Sequence, residues 1–181
     1  MTERKNLIQP ITRLQQDAVT EETTRYILRA AEHFETPFKS IPVLFDLRGR
    51  AAGMYRVKAN QKVIRYNPFI FAKYFTDNFN ETIPHEVAHY VTDELYGLRR
   101  IQPHGNEWKD VMQFFGVAAN RTATYDLSGI PRRQHKTFTY HCSCQSYELT
   151  SRRHNKIMQN AGHYLCRACG DKLFFVKSNQ D

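Results

Sequence analysis

The chain has 181 residues, which allows one compact core or one core with a small appendage. Its 41% hydrophobic and 13% aromatic content excludes a disordered chain, and no apolar run approaches the roughly 20 residues that a membrane-spanning helix needs. The net charge of +8 gathers toward the C-terminus, where Pro131 to Asp181 carries nine Lys and Arg against three acidic residues; such a balance suits a polyanionic partner or a plain solvated surface. The residues Met1 to Asn6 lead into polar and charged positions without a secretory signal, so a cytoplasmic protein without a membrane partner is expected. From Gln9 to Phe34, Leu14, Ala18, Ile27, Leu28, Ala31 and Phe34 recur at roughly helical spacing, with a break expected at Thr20-Glu21-Glu22. Pro37 and Pro42 end that pattern. Val43–Leu47, Gly53–Val57 and Val63–Asn67 then read as strands, the last two joined by a hairpin turn over Lys58–Lys62. Asn67-Pro68 starts a short helix over Phe69–Phe75.

The next helix is predicted from Thr82 to Tyr96, because Ile83, Val87, Val91 and Leu95 give it one apolar face. Pro84 fits only in its first turn, and Gly97 can close it with a left-handed cap. Trp108, Val111, Met112 and Phe115 mark a further helix between Gly105 and Gly116. Pro131-Arg132-Arg133-Gln134 reads as a linker, which divides the chain into domains 1–130 and 131–181; beyond it, Phe138 to Val176 has short β-rich stretches.

Residues i and i+4 of a helix share one face, so His85 and His89 of His85-Glu86-Val87-Ala88-His89 can present two imidazoles to one ion. Glu86 lies about 100° further around the helix, within reach of a metal-bound water without ligating the metal itself. That is the arrangement of a hydrolytic zinc with a carboxylate as general base. A third ligand can come from His104 or from Glu107, both in His104-Gly105-Asn106-Glu107-Trp108. Asp93 stands one turn beyond His89 and reads as a partner for that imidazole or as a solvated carboxylate. Tyr90, Tyr96 and Tyr125 are candidate oxyanion donors.

These two segments resemble the SprT family, and eukaryotic Spartan, a protease acting on DNA–protein crosslinks, contains a similar domain. The resemblance implies an α+β, zincin-like metallopeptidase fold with a small β-hairpin sheet, His104 as the third zinc ligand and Glu86 as general base. It also implies protein substrates, with DNA, single-stranded or protein-crosslinked, as a further partner. The rival reading is a nucleic-acid-binding regulatory protein with structural zinc and vestigial catalysis.

All four cysteines lie in the basic segment, where clustered cysteines are more often metal ligands than disulfides. Cys166-Arg167-Ala168-Cys169-Gly170 is a zinc knuckle. Cys142-Ser143-Cys144 is a tighter pair that leaves room for His141 or His154 as a ligand, and less readily His163. The module is similar to the SprT-type zinc ribbon, in which both pairs hold a second, structural zinc. Arg152, Arg153, Lys156 and Lys172, interleaved with Tyr140, Tyr147, Tyr164 and Phe174, suit a nucleic-acid surface, although the aromatics can equally form the ribbon's core.

Overall fold

Thr12 sets the start of the first helix: its hydroxyl accepts from the Gln15 N–H while the Gln15 side chain accepts from the Thr12 N–H, a capping box. The computed structural model describes residues 7–59, 61–120, 124–131 and 136–176. Helix α1 (Arg13–His33) runs without the break expected at Thr20-Glu21-Glu22; Thr20, Thr23 and Thr24 satisfy their hydroxyls on carbonyls one turn back. Its buried stripe is Val19, Thr23, Tyr26, Ile27 and Ala30, whereas Leu14 and Leu28 are 80% and 62% exposed. The expected face was therefore partly misplaced, since a buried Thr23, bonded to the Tyr66 hydroxyl, takes a core position.

Strands β1 (Val43–Leu44), β2 (Gly53–Lys58) and β3 (Gln61–Tyr66) form a sheet in the order β1-β3-β2, with β1 parallel and β2 antiparallel to β3. Of the strand predicted over Val43–Leu47 only two residues pair regularly, although the Leu47 N–H still reaches the Tyr66 carbonyl. The hairpin turn tightens so that Lys58 pairs with Gln61; Ala59 takes φ +48°, and Asn60 lies outside the described residues. Asn67 caps α2 (Pro68–Lys73) by accepting from Phe69 and Ile70 N–H groups. A short α3 (Phe75–Asp77) and a π-helical turn (Asn78–Thr82) lead into α4 (Ile83–Tyr96), with Pro84 in its first turn as expected. Gly97 takes φ +80° and ψ 132°, outside the left-handed helical region, and its N–H bonds the Asp93 carbonyl. Helix α5 (Asn106–Phe115) ends at Gly116 in the left-handed conformation. Helix α4 packs against α1, α5 and β2, and its Ile83, Val87, Ala88 and Val91 are fully buried with Trp108, Val111 and Met112 of α5.

The chain separates into two compact units, one ending at Arg132 and the other beginning at Arg133. The predicted linker residues Arg132, Arg133 and Gln134 lie outside the described residues. The second unit contains β4 (Thr137–His141), β5 (Ser146–Thr150), α6 (Ser151–Met158) and β6 (Phe174–Phe175), with sheet order β5-β4-β6. Helix α6 was not expected in this β-rich segment. The core here is small: Tyr140, Leu149, Cys166 and Leu173, with Tyr147 and Tyr164 packed against it. Three of the four interleaved aromatics thus serve the core, while Phe174 is 63% exposed. Among the described residues no helix is long and apolar enough to cross a membrane.

Candidate metal centre

Helix α4 delivers His85 and His89 from adjacent turns of one face, and the segment before α5 delivers His104. His104 takes φ +59°, a left-handed turn that aims its ring at α4. Gly105 permits that turn, because a Cβ there would meet the Gln102 carbonyl at 2.9 Å and Glu107 Oε2 at 3.0 Å. The three Nε2 atoms stand 3.3 Å (His85–His89), 3.1 Å (His89–His104) and 3.1 Å (His85–His104) apart. Ligands held about 2.0–2.1 Å from a tetrahedral zinc stand about 3.3–3.4 Å from one another, so the imidazoles fit such an ion.

Their electrostatics point the same way. Burial, reinforced by mutual repulsion, lowers His85 to about 4 and His89 to about 3, so neutral rings with available lone pairs converge here near pH 7. Asn120 lines the same recess as the His85 ring. Trp108, 1% exposed, backs all three rings with centroid separations of 4.8, 5.7 and 4.7 Å, and its indole N–H reaches the His85 carbonyl. Glu107 stays in the first turn of α5 under Gly105, outside the metal-capable cluster of three histidines.

Glu86 is buried beside the imidazoles. Its Oε2 accepts the Tyr55 N–H at 2.6 Å, and burial outweighs that bond to push its carboxyl up to about 8. Gly53 makes the room, since a Cβ there would come within 2.6 Å of Glu86 Cγ and Oε1. Two recesses meet at Gly53, His85 and Glu86. One, of about 240 Å³, is bounded by Arg50, Asn120 and Tyr125; the other, of about 350 Å³, by His89, Gln102, His104 and Trp108. Of the three candidate donors, Tyr125 alone lines either of these two recesses, with its hydroxyl donating to Asn78 Oδ1 at 3.2 Å. Tyr90 donates to the Lys39 carbonyl and Tyr96 is exposed. Asp93 does not support His89: its carboxylate accepts from the Tyr55 hydroxyl, Lys62 and the Leu98 N–H. Gly53, Tyr55 and Asn120 carried no site signal in the sequence beyond a glycine opening an alternating strand.

In the second unit the β4–β5 hairpin and the knuckle bring Cys142, Cys144, Cys166 and Cys169 into one cluster. Cys144 Sγ lies 3.5 Å from Cys142 Sγ and 3.6 Å from Cys166 Sγ, near the separation of about 3.8 Å set by Zn–S bonds of about 2.3 Å. The Tyr147 hydroxyl at 3.0 Å and backbone N–H groups of Cys169 and Ala168 hold the Cys166 thiol well below its ordinary value. His154 is no competitor, because it stacks on Phe138 at 3.6 Å and bonds the Tyr140 hydroxyl through Nδ1. His141 pairs with the Ser146 hydroxyl, and His163 is exposed.

The SprT-like family model matches residues 23–128, and that of the SprT-like zinc ribbon domain matches residues 136–177. Protein SprT of Vibrio parahaemolyticus is 40% identical over 148 residues, covering 81% of this chain and 86% of its own. Protein SprT of Serratia proteamaculans is 38% identical over 147 residues (81% and 82%), and that of Yersinia pestis 35% identical over 167 residues (92% and 94%). No solved structure matches the chain.

Proposed function

Because the chain belongs to the SprT-like family, we propose that it is a zinc metallopeptidase with a zincin-like catalytic domain and a basic zinc ribbon, hydrolysing peptide bonds in protein substrates. The observation that carries this reading is the convergence of three imidazole Nε2 atoms beside the buried Glu86, where two recesses of one cleft meet. His85, His89 and His104 would hold the catalytic ion, which when bound supplies a Lewis acid for the scissile carbonyl and acidifies a water. Glu86 moves the proton, since the cation held beside it would offset the burial that raises its carboxyl and keep it ionised. Its Oε2 is engaged by the Tyr55 N–H, so Oε1 takes the proton from the attacking water and returns it to the departing amine. Tyr125, in the recess shared with His85 and Glu86, would serve as donor to the developing oxyanion by turning its hydroxyl from Asn78 Oδ1. Cys142, Cys144, Cys166 and Cys169 would hold the second, structural zinc.

The test is cleavage of casein, and of a protein crosslinked to single-stranded DNA, before and after stripping with phenanthroline and again after zinc is restored. Cleavage should vanish on chelation and return with zinc. A zinc-loaded protein that cleaves neither substrate would reject the peptidase and favour the regulatory alternative. The DNA arm rests on exposed Arg152, Arg153 and Lys156 on α6 and on exposed Phe174. Any stimulation by DNA should fade steeply as salt rises, since phosphate contacts release counterions.

Gly53→Ala is expected to lower kcat by about tenfold to a hundredfold with the fold and zinc content retained. The added methyl would collide with Glu86 Cγ and Oε1 at 2.6 Å and with Thr82 Cγ2 at 2.7 Å, and the carboxylate is the flexible member that yields. Peptide-cleavage kinetics beside zinc analysis and circular dichroism check this; wild-type kcat in the folded, loaded variant would show that Gly53 has no part in placing Glu86.

A further inference from the structure

Strand β2 uses one edge for β3 and turns the other toward α4. Tyr55 crosses that second boundary twice. Its backbone N–H donates to Glu86 Oε2 at 2.6 Å, and its hydroxyl donates to Asp93 Oδ2, also at 2.6 Å. Glu86 and Asp93 are seven residues apart on α4, hence on one face and about 10.5 Å apart along the axis. One tyrosine thus spans two turns of the helix, backbone at one end and phenol at the other.

The far end of this span is itself anchored. Lys62 Nζ lies 2.7 Å from Asp93 Oδ2 and 2.8 Å from Glu94 Oε1. The other Asp93 oxygen, Oδ1, accepts the Leu98 N–H at 3.0 Å, just beyond the end of α4. Burial alone would raise the Asp93 carboxyl, but hydrogen bonds from Lys62, Tyr55 and the Leu98 N–H outweigh it and keep it below its ordinary range. Asp93 is therefore a charged acceptor with two branches. One runs through Tyr55 to Glu86, the other through Leu98 into the segment that carries His104.

We propose that Asp93 and Tyr55 are positioning residues: Tyr55, clamped by Asp93, holds the Glu86 carboxylate at the cleft, while Asp93 through Leu98 steadies the segment bearing His104. A glutamate side chain has three rotatable torsions, and the Tyr55 N–H is the contact that selects among them; the clamp on the phenol in turn fixes that N–H against α4. The consequence for turnover rests on the metallopeptidase reading, but the clamp itself does not.

The two branches can be cut separately. Tyr55→Phe removes the hydroxyl and leaves every backbone group and the ring in place. It is expected to lower kcat about tenfold with KM within about twofold of wild type and zinc release unchanged. Asp93→Ala cuts both branches, so it should lower kcat as much and also speed zinc release about tenfold. The residue 55 amide gives a readout independent of activity. In apo and zinc-loaded wild-type protein its proton resonance should lie downfield, and in Tyr55→Phe it should move upfield and exchange with solvent about tenfold faster. Tyr55→Phe with wild-type kcat and an unmoved, equally protected amide overturns the proposal. If wild-type protein cleaves nothing, the peptidase reading falls, and the amide and zinc-release measurements still decide the clamp: upfield movement of the amide in Tyr55→Phe and faster release from Asp93→Ala support it, and no change in either overturns it.

Discussion

Replacing Glu86 with Gln is expected to lower kcat/KM on casein at least about a thousandfold, a transition-state loss of about 4 kcal/mol, while zinc stays bound. The size follows from what the substitution removes. Gln is the same length as Glu, and its carbonyl oxygen can keep the hydrogen bond from the Tyr55 N–H that now reaches Oε2. Its amide then takes the place of Oε1 and cannot accept a proton from water. His85, His89 and His104 are untouched, their rings still backed by Trp108. Zinc stoichiometry, thermal melting and steady-state cleavage measured on one preparation separate the loss of a base from the loss of a metal or a fold. Equal cleavage by Glu86→Gln and wild type would end the assignment of Glu86 as the base. The contrast with Gly53→Ala is informative, because that variant keeps the carboxylate and only displaces it, and so should fall between the two.

What the sequence made legible at this centre was what is local. His85 and His89 follow from helical spacing alone, on a helix that the apolar repeat predicts. His104 was harder, since its ring direction depends on a left-handed backbone turn that no spacing encodes. Spacing left it in competition with Glu107, and the resemblance decided for it. Gly53 and Tyr55 were not legible. They sit more than one element upstream of Glu86, and the bond from the Tyr55 N–H exists only once β2 has packed its free edge on α4. Alternation along β2 says that Tyr55 faces inward, not which carboxylates it will meet. Asp93 shows the same limit: its place one turn beyond His89 suggested an imidazole partner, and tertiary packing gave it Tyr55, Lys62 and Leu98 instead. In the second unit, α6 escaped the reading because Ser151-Arg152-Arg153-His154-Asn155-Lys156 is nearly all polar, and half-buried His154 and Ile157 supply its inward face.

Cys166→Ser in the full chain is expected to unfold the second unit while the first keeps its structure. That unit buries little apolar material: Tyr140, Leu149, Cys166 and Leu173, with a few half-buried rings around them. Four such side chains and the half-buried rings around them are too little apolar burial to offset the backbone entropy of ordering residues 136–176. A closed four-thiolate zinc would supply folding free energy that this core lacks. Cys166 is the ligand on which the site depends most, being buried and approached by the Tyr147 hydroxyl, the Ala168 N–H and Gln145 Nε2. A serine hydroxyl there stays protonated at neutral pH and offers zinc no comparable ligand, and its shorter C–O bond draws the acceptor back from the Tyr147 hydroxyl and the Ala168 N–H. Amide spectra should show resonances of residues 136–176 collapsing to a narrow shift range, those of residues 61–120 keeping their dispersion, and zinc content falling by one ion per chain. Cleavage of casein without DNA should survive, since Glu86 and the three imidazoles lie in the first unit, and any stimulation by DNA should be lost with the ribbon. A Cys166→Ser protein that keeps dispersed resonances throughout and both ions would show that the core and three sulfurs suffice, and would remove the metal from its place as the main source of this unit's stability.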